Sequence, residues 1–291
     1  MENYLYPSQK EIHHGNYLLP CAHYRSILQS ASSDILLHWH TEAEIAIIRE
    51  GSSIYQVGQE TFQVKKGHLI FIAPNTLHSV NKIPGYTMTS DTLVFHLDLL
   101  GYSMMDQCTL SYLYPIFNNS FRLLSHMEHT HPAYTGLSIC LNEIFDCIIK
   151  KETYFELFLK EKLHHLFYLL FQNNCITETI IPKTASLRIK KVKQALQFIQ
   201  ENYKEPVSVS QLANLCGFSE AHFMNFFKQS VGITCLEYII QLRLKIAAHL
   251  LKTSNLSISD IALESGFNNL SNFNRKFKKH YHSTPSEYRK Q

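Results

Sequence analysis

The sequence predicts an α+β protein: an N-terminal antiparallel β-barrel, a pair of helices, and a C-terminal all-α domain with two helix-turn-helix units. Three observations predict it. Short β-prone runs punctuated by glycine fill residues 17–98. Two apolar stretches with helical periodicity follow within residues 135–175. The last third repeats itself: Ala213-x-x-x-Gly217-Phe218 matches Ala262-x-x-x-Gly266-Phe267 at an offset of 49, and Phe223, Phe227-Lys228 and Thr234-x-x-Glu237-Tyr238 match Phe273, Phe277-Lys278 and Thr284-x-x-Glu287-Tyr288 at an offset of 50. A turn after each Gly-Phe absorbs the one-residue difference.

A chain of 291 residues is long for one domain and points to two. With 45% hydrophobic and 18% charged residues it is globular rather than disordered. The 7 cysteines form no CxxC pair, which argues against a disulfide framework or a structural zinc ribbon and fits a reducing compartment. No signal peptide is readable after Met1-Glu2-Asn3-Tyr4, and no run of apolar residues is long enough to span a bilayer. A cytoplasmic location with no membrane partner is expected. Residues 185–291 hold 15 Lys and Arg against 7 Asp and Glu, a net +8, whereas residues 1–184 are net −5. A basic tail behind an acidic front points to a polyanionic partner.

The barrel, with an N-terminal arm, is expected over residues 1–134. Strands are predicted at 45–48, 53–57, 61–64, 69–72 and 92–97, with Gly51, Gly58, Gly67 and Pro84-Gly85 at turns. Within it lies His38-Trp39-His40-x-x-x-Glu44, then Gly51, and later Gly67 followed by Pro74-Asn75-Thr76-Leu77-His78. Strand alternation puts His38 and His40 on one face and Trp39 on the other, in core or interface. Glu44 and His78 can converge on the pair from neighbouring strands, and His96 on the run 92–97 can line the barrel as well. Three readings stand open: a polar effector pocket, a divalent transition metal held by three imidazoles and a carboxylate, and histidines satisfied by backbone and water. His13, His14, His126, His129 and His131 lack ligand spacing and read as surface or loop.

The helical pair is expected over residues 135–175. Its first helix, 137–150, buries Ile144 and Ile148, with Cys140 and Cys147 on a similar face. Its second, 154–171, is apolar through Leu157, Phe158, Leu163, Leu166, Phe167 and Leu170, a stripe that the barrel or another subunit must cover. Residues 176–186, with several Thr and Pro182, read as a linker.

Residues 187–291 form the third region. A helix over 189–203 turns Val192, Leu196 and Ile199 inward and Lys190, Lys191 and Lys193 outward. The helix-turn-helix units fall at about 207–229 and 256–279. In the first, Ser208 or Ser210 caps a helix with Leu212 and Leu215 as apolar positions, small Ala213 permits a close crossing, Gly217 takes positive φ, and Ser219 caps a second helix anchored by Phe223 and Phe227. In the second, Ser257 caps, Ile258, Ile261 and Ala262 pack, Gly266 turns, and Phe273 and Phe277 anchor. The outward faces carry His222, Asn225 and Lys228 in one copy and Ser271, Asn274, Arg275 and Lys278 in the other, all able to meet bases or phosphates. Between the copies, residues 236–251 read as a helix of about 24 Å with Ile239, Leu242, Ile246 and Leu250 at helical spacing, a strut for two reading heads near one DNA turn apart.

This last third resembles the DNA-binding domain of the AraC/XylS transcription regulators. The resemblance rests on Ser259-Asp260-Ile261-Ala262-x-x-x-Gly266-Phe267, Phe273, Phe277-Lys278-Lys279 and Thr284-Pro285-Ser286-Glu287-Tyr288-Arg289. The two histidine motifs resemble the cupin signature. Thr76 stands where metal cupins have Gly, and His78 lies one residue closer to the Pro, a shortening common in the cupin-like sensor domains of these regulators. The resemblance implies seven helices with two recognition helices in successive major grooves of double-stranded DNA. Base-facing residues would be Ala221, Met224 and Asn225 in the first and Leu270, Ser271, Asn274 and Arg275 in the second. Ala221 and Met224 suit thymine methyls; Arg275 suits a guanine, with a phosphate clamp as the alternative. It also implies a small effector such as a sugar in the barrel, contacted by His38, His40, Glu44, His78 and His96, a homodimer through the helical pair, and RNA polymerase as a further partner. No cofactor is required by this reading, and a divalent metal at His38, His40, Glu44 and His78 stays open. His282 replaces the Gly that many relatives place before the Thr-Pro, so that turn is expected to be strained or reshaped. Two rival functions are a constitutive DNA-binding dimer with a non-sensing barrel, and a metal-dependent cupin enzyme fused to a DNA-binding domain; the regulator reading itself needs no catalytic step.

Overall fold

The computed structural model describes residues 18–29, 34–104, 106–179 and 183–290. The N-terminal arm, with His13 and His14, lies outside the described residues.

The front domain contains β1 (Cys21–Leu28), β2 (Ile35–His38), β3 (Ala43–Val57), β4 (Glu60–Lys65), β5 (Leu69–Ile72), β6 (His78–Lys82), β7 (Met88–Phe95) and β9 (His126–Met127), with β8 (Phe121–Leu123) between β7 and β9 in sequence. The two strands expected at 45–48 and 53–57 are one strand of 15 residues. Its first half pairs with β5 and β7, its second half with β4 and β6, all antiparallel. The register shifts between Ile48 and Glu50. Gly51 follows at φ 76, where a Cβ would stand 1.8 Å from the Thr87 carbonyl oxygen. The bend there lets β3 serve both sheets, β1-β7-β3-β5-β9 and the set β2, β6, β3, β4. Alternation then sorts the side chains. Ala46, Ile48, Ile70 and Ile72 face inward with Tyr55, Val64, Val80 and Met88, and Ile45, Ile47, Leu69, Phe71, Leu93 and Phe95 face the helices.

After a short helix, α1 (Tyr114–Phe117), come α2 (Tyr134–Lys150) and α3 (Phe155–Gln172). Cys140, Ile144 and Ile148 of α2, and Leu159, Leu163, Leu166, Phe167 and Leu170 of α3, join the outer cluster of the barrel. The apolar stripe of α3 is therefore covered largely by its own chain. Leu157 and Phe158, expected in that stripe, are 70% and 43% exposed, as the helix turns them away from the barrel. Arg49 locks barrel to helix: its Nε donates to Asp91 Oδ2 at 2.6 Å and its Nη1 to Asn142 Oδ1 on α2 at 2.6 Å.

The expected linker is shorter than its composition implied. β10 (Ile176–Glu178) pairs with β8, and α4 (Lys183–Asn202) starts at Lys183. Ile176 and Thr177 are β-branched, and the β8 edge was available for them to pair with.

The C-terminal region is α4 with α5 (Val209–Cys216), α6 (Glu220–Val231), α7 (Cys235–Thr253), α8 (Ile258–Glu264), α9 (Leu270–Tyr281) and α10 (Pro285–Lys290), the seven helices the resemblance implies. Ser208, not Ser210, caps α5, in a capping box with Gln211; Thr234 and Glu237 form the same box on α7. Ser219, Ser257 and Asn269 cap α6, α8 and α9. Phe223, Phe227, Phe273 and Phe277 are fully buried. Leu215, expected inward, is 44% exposed, and Cys216 takes the core position beside Ala213. Among the described residues no helix is long and apolar enough to cross a membrane.

His282 sits at φ 57, ψ 12, the left-handed conformation that ends α9, and its N–H donates to Lys278 O. The turn keeps the shape a glycine would give it, at a strain cost for the imidazole-bearing residue. His282→Gly is expected to stabilise the chain by about 1 kcal/mol; urea unfolding of the two proteins checks it.

Candidate histidine centre and nucleic-acid interface

Four of the five barrel residues singled out in the sequence meet at one end of the barrel. His38 closes β2, His78 opens β6, and the two are partners in the register between those strands. Glu44 comes from β3 and shares the inward face of Ala46 and Ile48. His40 lies on the turn between β2 and β3. The ring centroids of His38 and His78 are 4.1 Å apart and those of His40 and His78 4.9 Å. Glu44 Oε2 is 3.5 Å from both His40 Nε2 and His78 Nε2. His96 stands apart: it lies just beyond β7, where its Nδ1 accepts from the Asp98 N–H and caps the turn Leu97–Leu100.

Each of the three rings is held from behind by a backbone carbonyl. His38 Nδ1 donates to Leu36 O at 2.8 Å, His40 Nδ1 to Glu42 O at 3.1 Å, and His78 Nδ1 to Thr76 O at 2.8 Å. A carbonyl only accepts, so the proton is on Nδ1 in all three, and in a neutral ring Nε2 is then a lone pair. Burial, then the neighbouring His78 and His40, hold the His38 imidazole well below its ordinary value, so that ring is neutral. Burial raises the Glu44 carboxyl, but the imidazoles of His40 and His78 against it outweigh that and keep it ionised, below the usual carboxylate range. His78 Nε2 is buried without a hydrogen-bond partner. The three Nε2 edges and the ionised Glu44 carboxylate thus converge on one space. The ligand atoms of His38, His40 and His78 lie within 4.8 Å of one another. Three imidazoles, a carboxylate and carbonyls fixing the tautomers are a donor set that fits a divalent transition ion.

The backs of the same segments belong to the other domain. Leu36 and Leu37 of β2 and Leu77 pack in one cluster with Val192, Leu196 and Ile199 of α4, Phe223 and Phe227 of α6, and Tyr238 of α7. Trp39, placed opposite the histidines by alternation, packs there too. Tyr238 Oη donates to Leu37 O at 3.0 Å. Lys193 was expected to point into solvent. Instead its Nζ donates to Asn75 O at 2.6 Å and lies 5.4 Å from the Trp39 ring centroid, and burial lowers its pKa to about 8. Lys245 Nζ donates to Asp34 O in a short contact. Asn75 N donates to His40 O, closing the loop back to the centre. Tyr238, Lys193 and Lys245 carry no local signal of these roles, because each is defined by a partner more than a hundred residues away.

The helix faces expected to read DNA lie elsewhere on the helical domain. Ala221, His222, Met224, Asn225 and Lys228 of α6 are exposed, as are Leu270, Ser271, Asn274, Arg275 and Lys278 of α9. Arg275 Nη2 is held by Asn272 Oδ1 at 3.2 Å. Every residue expected to face DNA is thus solvent-exposed. A further cavity of about 430 Å³ opens at the barrel rim, with Glu60, Phe71, Thr76, Arg122, Ser125 and Ile189 among its lining.

Comparison with known proteins agrees with this division. A family profile described as an AraC-like ligand binding domain matches residues 24–167, and one described as a helix-turn-helix domain matches residues 212–291. The HTH-type transcriptional regulator YdeC of Bacillus subtilis is 25% identical over 280 residues, 95% of this chain and 94% of its own. An HTH-type transcriptional regulator of Haemophilus influenzae is 26% identical over 262 residues, 84% of this chain and 85% of its own. Among solved structures, ToxT from Vibrio cholerae aligns over 92% of this chain and 96% of its own with 14% identity and a TM-score of 0.45. A sensor-type barrel in front and a duplicated helix-turn-helix behind, matched by both profiles, make the chain a member of the AraC-type DNA-binding transcriptional regulators.

Proposed function

We propose that the chain is a sequence-specific regulator whose affinity for its operator is set by a ligand at His38, His40, Glu44 and His78. One observation carries this reading. The carbonyls and side chains flanking those histidines are the surface on which the DNA-binding domain rests. A ligand that draws the imidazoles together shifts Leu36 and Thr76, which hold them, and so Leu37 and Asn75, which hold Tyr238 and Lys193. Ligand binding then favours one placement of α4 and α7, and with it one placement of the recognition helices.

A divalent transition ion suits the four donors, where it would supply the missing positive charge. A small polar effector, a sugar by family expectation, suits the rim cavity, whose Glu60, Arg122 and Ser125 offer hydrogen bonds. The exposed Leu157, Phe158 and Tyr168 of α3 suit a homodimer contact. A DNA partner implies a cytoplasmic location, and RNA polymerase is the second macromolecular partner this reading carries.

Selection of duplexes from a random pool by the full-length chain tests the reading. One enriched motif is expected, with binding that weakens steeply as salt rises, since Lys and Arg displace counterions from phosphate. Recovery of no motif would overturn it. Arg275→Ala is expected to relax the preference at one base pair by about 1–3 kcal/mol. An unchanged motif with uniformly weaker binding would make Arg275 a phosphate contact instead.

A further inference from the structure

A second group of imidazoles lies outside both the histidine centre and the DNA-facing helices. His68 sits just before β5, His126 on β9, and Glu128 just after it. Antiparallel pairing of Leu69 with Met127 and of Ile70 with His126 brings the three to one end of this strand pair. It is the end remote from Glu44, which pairs with Ile72 at the far side of β5. Four strand residues, about 13 Å, separate the two groups.

The geometry is close. His68 Nδ1 and His126 Nε2 are 2.7 Å apart, and the ligand atoms of His68, His126 and Glu128 all lie within 4.8 Å of one another. The His126 ring is fixed by stacking on Phe62, with centroids 4.5 Å apart and planes 2° from parallel. His68 is buried, and Glu128 is exposed, so the group opens to solvent on one side only. Burial lowers the pKa of both histidines, which leaves each ring neutral with one lone pair at neutral pH. His129 borders the group: its ring lies 5.9 Å from that of His68 and covers Gly67, where a Cβ would stand 2.3 Å from His129 Nε2.

We propose that His68, His126 and Glu128 form a second site, for a divalent ion of the zinc class, distinct from the centre at His38. Two neutral imidazoles, a carboxylate and a water make the four-coordinate set that such an ion takes. Entry needs little rearrangement. One proton bridges the two rings, and it moves to the other nitrogen of the ring that holds it, so both facing nitrogens become donors and no proton is released. The facing nitrogens open from 2.7 Å towards the roughly 3.3 Å edge of a tetrahedral zinc site. The bound ion would clamp the turn before β5 to the segment entering α2, a junction that Tyr134 Oη already spans by donating to Gly67 O at 2.8 Å.

Equilibrium dialysis of the metal-stripped full-length chain against Zn²⁺ tests the proposal, and it involves no DNA, so its failure leaves the regulatory reading standing. The chain with His40→Ala and His78→Ala is expected to keep one tightly held equivalent. Adding His126→Gln is expected to weaken that equivalent at least tenfold. Should the His40/His78 variant fail to fold, His126→Gln and Glu128→Gln are made singly in the otherwise unaltered chain. Each is then expected to hold one equivalent fewer than the parent and to lose part of the Zn²⁺-induced rise in Tm. Unchanged stoichiometry and an unchanged Tm rise in both would overturn the site and leave the 2.7 Å contact as a plain hydrogen bond.

Discussion

Gly266→Ala is expected to destabilise the C-terminal domain by more than about 3 kcal/mol and to abolish operator binding, whereas Gly232→Ala costs only about 1–2 kcal/mol and leaves binding in place. Both glycines end or follow a helix at nearly the same angle, φ 87 and φ 86, so the backbone strain of adding a Cβ is the same. The surroundings differ. Nothing lies within 4 Å of a Cβ at Gly232. At Gly266 a Cβ would stand 2.5 Å from Tyr203 O and 2.8 Å from Arg243 Nε. Those two atoms are themselves hydrogen-bonded at 2.7 Å, and Arg243 Nη2 also donates to Glu205 O. The added methyl forces apart a contact that ties α7 to the end of α4. Because Gly266 also makes the turn between α8 and α9, the displacement reaches the helix that carries Arg275. Urea unfolding and operator titration of the two variants check the contrast. Equal costs at both sites would mean that strain, not packing, dominates.

The same glycine shows what the sequence could and could not reveal. Its place in the repeat, after Ala-x-x-x and before Phe, was enough to predict positive φ at a helix exit, and the phenylalanine spacing was enough to predict the core of each copy. These are local signals, written within one or two helical turns. The histidine motif was legible as a spacing rather than as a strand face: β2 ends at His38, so His40 reaches the centre from the turn beyond it, and a second short motif supplies His78. His96 read as a fifth member because it lies within the β-prone run 92–97; the strand ends at Phe95, and a residue one step past a strand end is free to cap a turn instead. His68 and His126 carried no legible signal. They are 58 residues apart and meet only through the pairing of β5 with β9, a strand of two residues that no hydropathy window resolves. Tyr238, Lys193 and Lys245 failed for a related reason. Helical periodicity tells which face of α4 or α7 is apolar, but not that a second domain lies against it.

That second domain is where the largest functional effect is expected. Tyr238→Phe combined with Lys193→Met is expected to make operator affinity independent of ligand, while ligand still binds. The reasoning follows from what each side chain touches. Tyr238 Oη and Lys193 Nζ are the donors to Leu37 O and Asn75 O, and those carbonyls adjoin Leu36 and Thr76, whose own carbonyls fix His38 and His78. Both substitutions preserve side-chain bulk and leave all four residues of the histidine centre in place. They cut the hydrogen bonds through which that centre and the helical domain sense each other. The converse variant, His38→Ala with His78→Ala, is expected to lose the equivalent bound at the histidine centre, to keep the one at His68 and His126, and to keep the ligand-free operator affinity. Coupling energies between sites typically run about 1–3 kcal/mol, a change of roughly 5- to 150-fold in affinity. That change, measured by operator titration with and without Zn²⁺, should vanish in both variants, but for opposite reasons that Zn²⁺ dialysis separates. Coupling is reciprocal, so in the parent chain saturating operator should alter ligand affinity by the same factor, and in the Tyr238/Lys193 variant it should not. Full coupling retained in that variant would mean that the signal leaves the barrel by another route, with α2 and α3 as the next elements to cut.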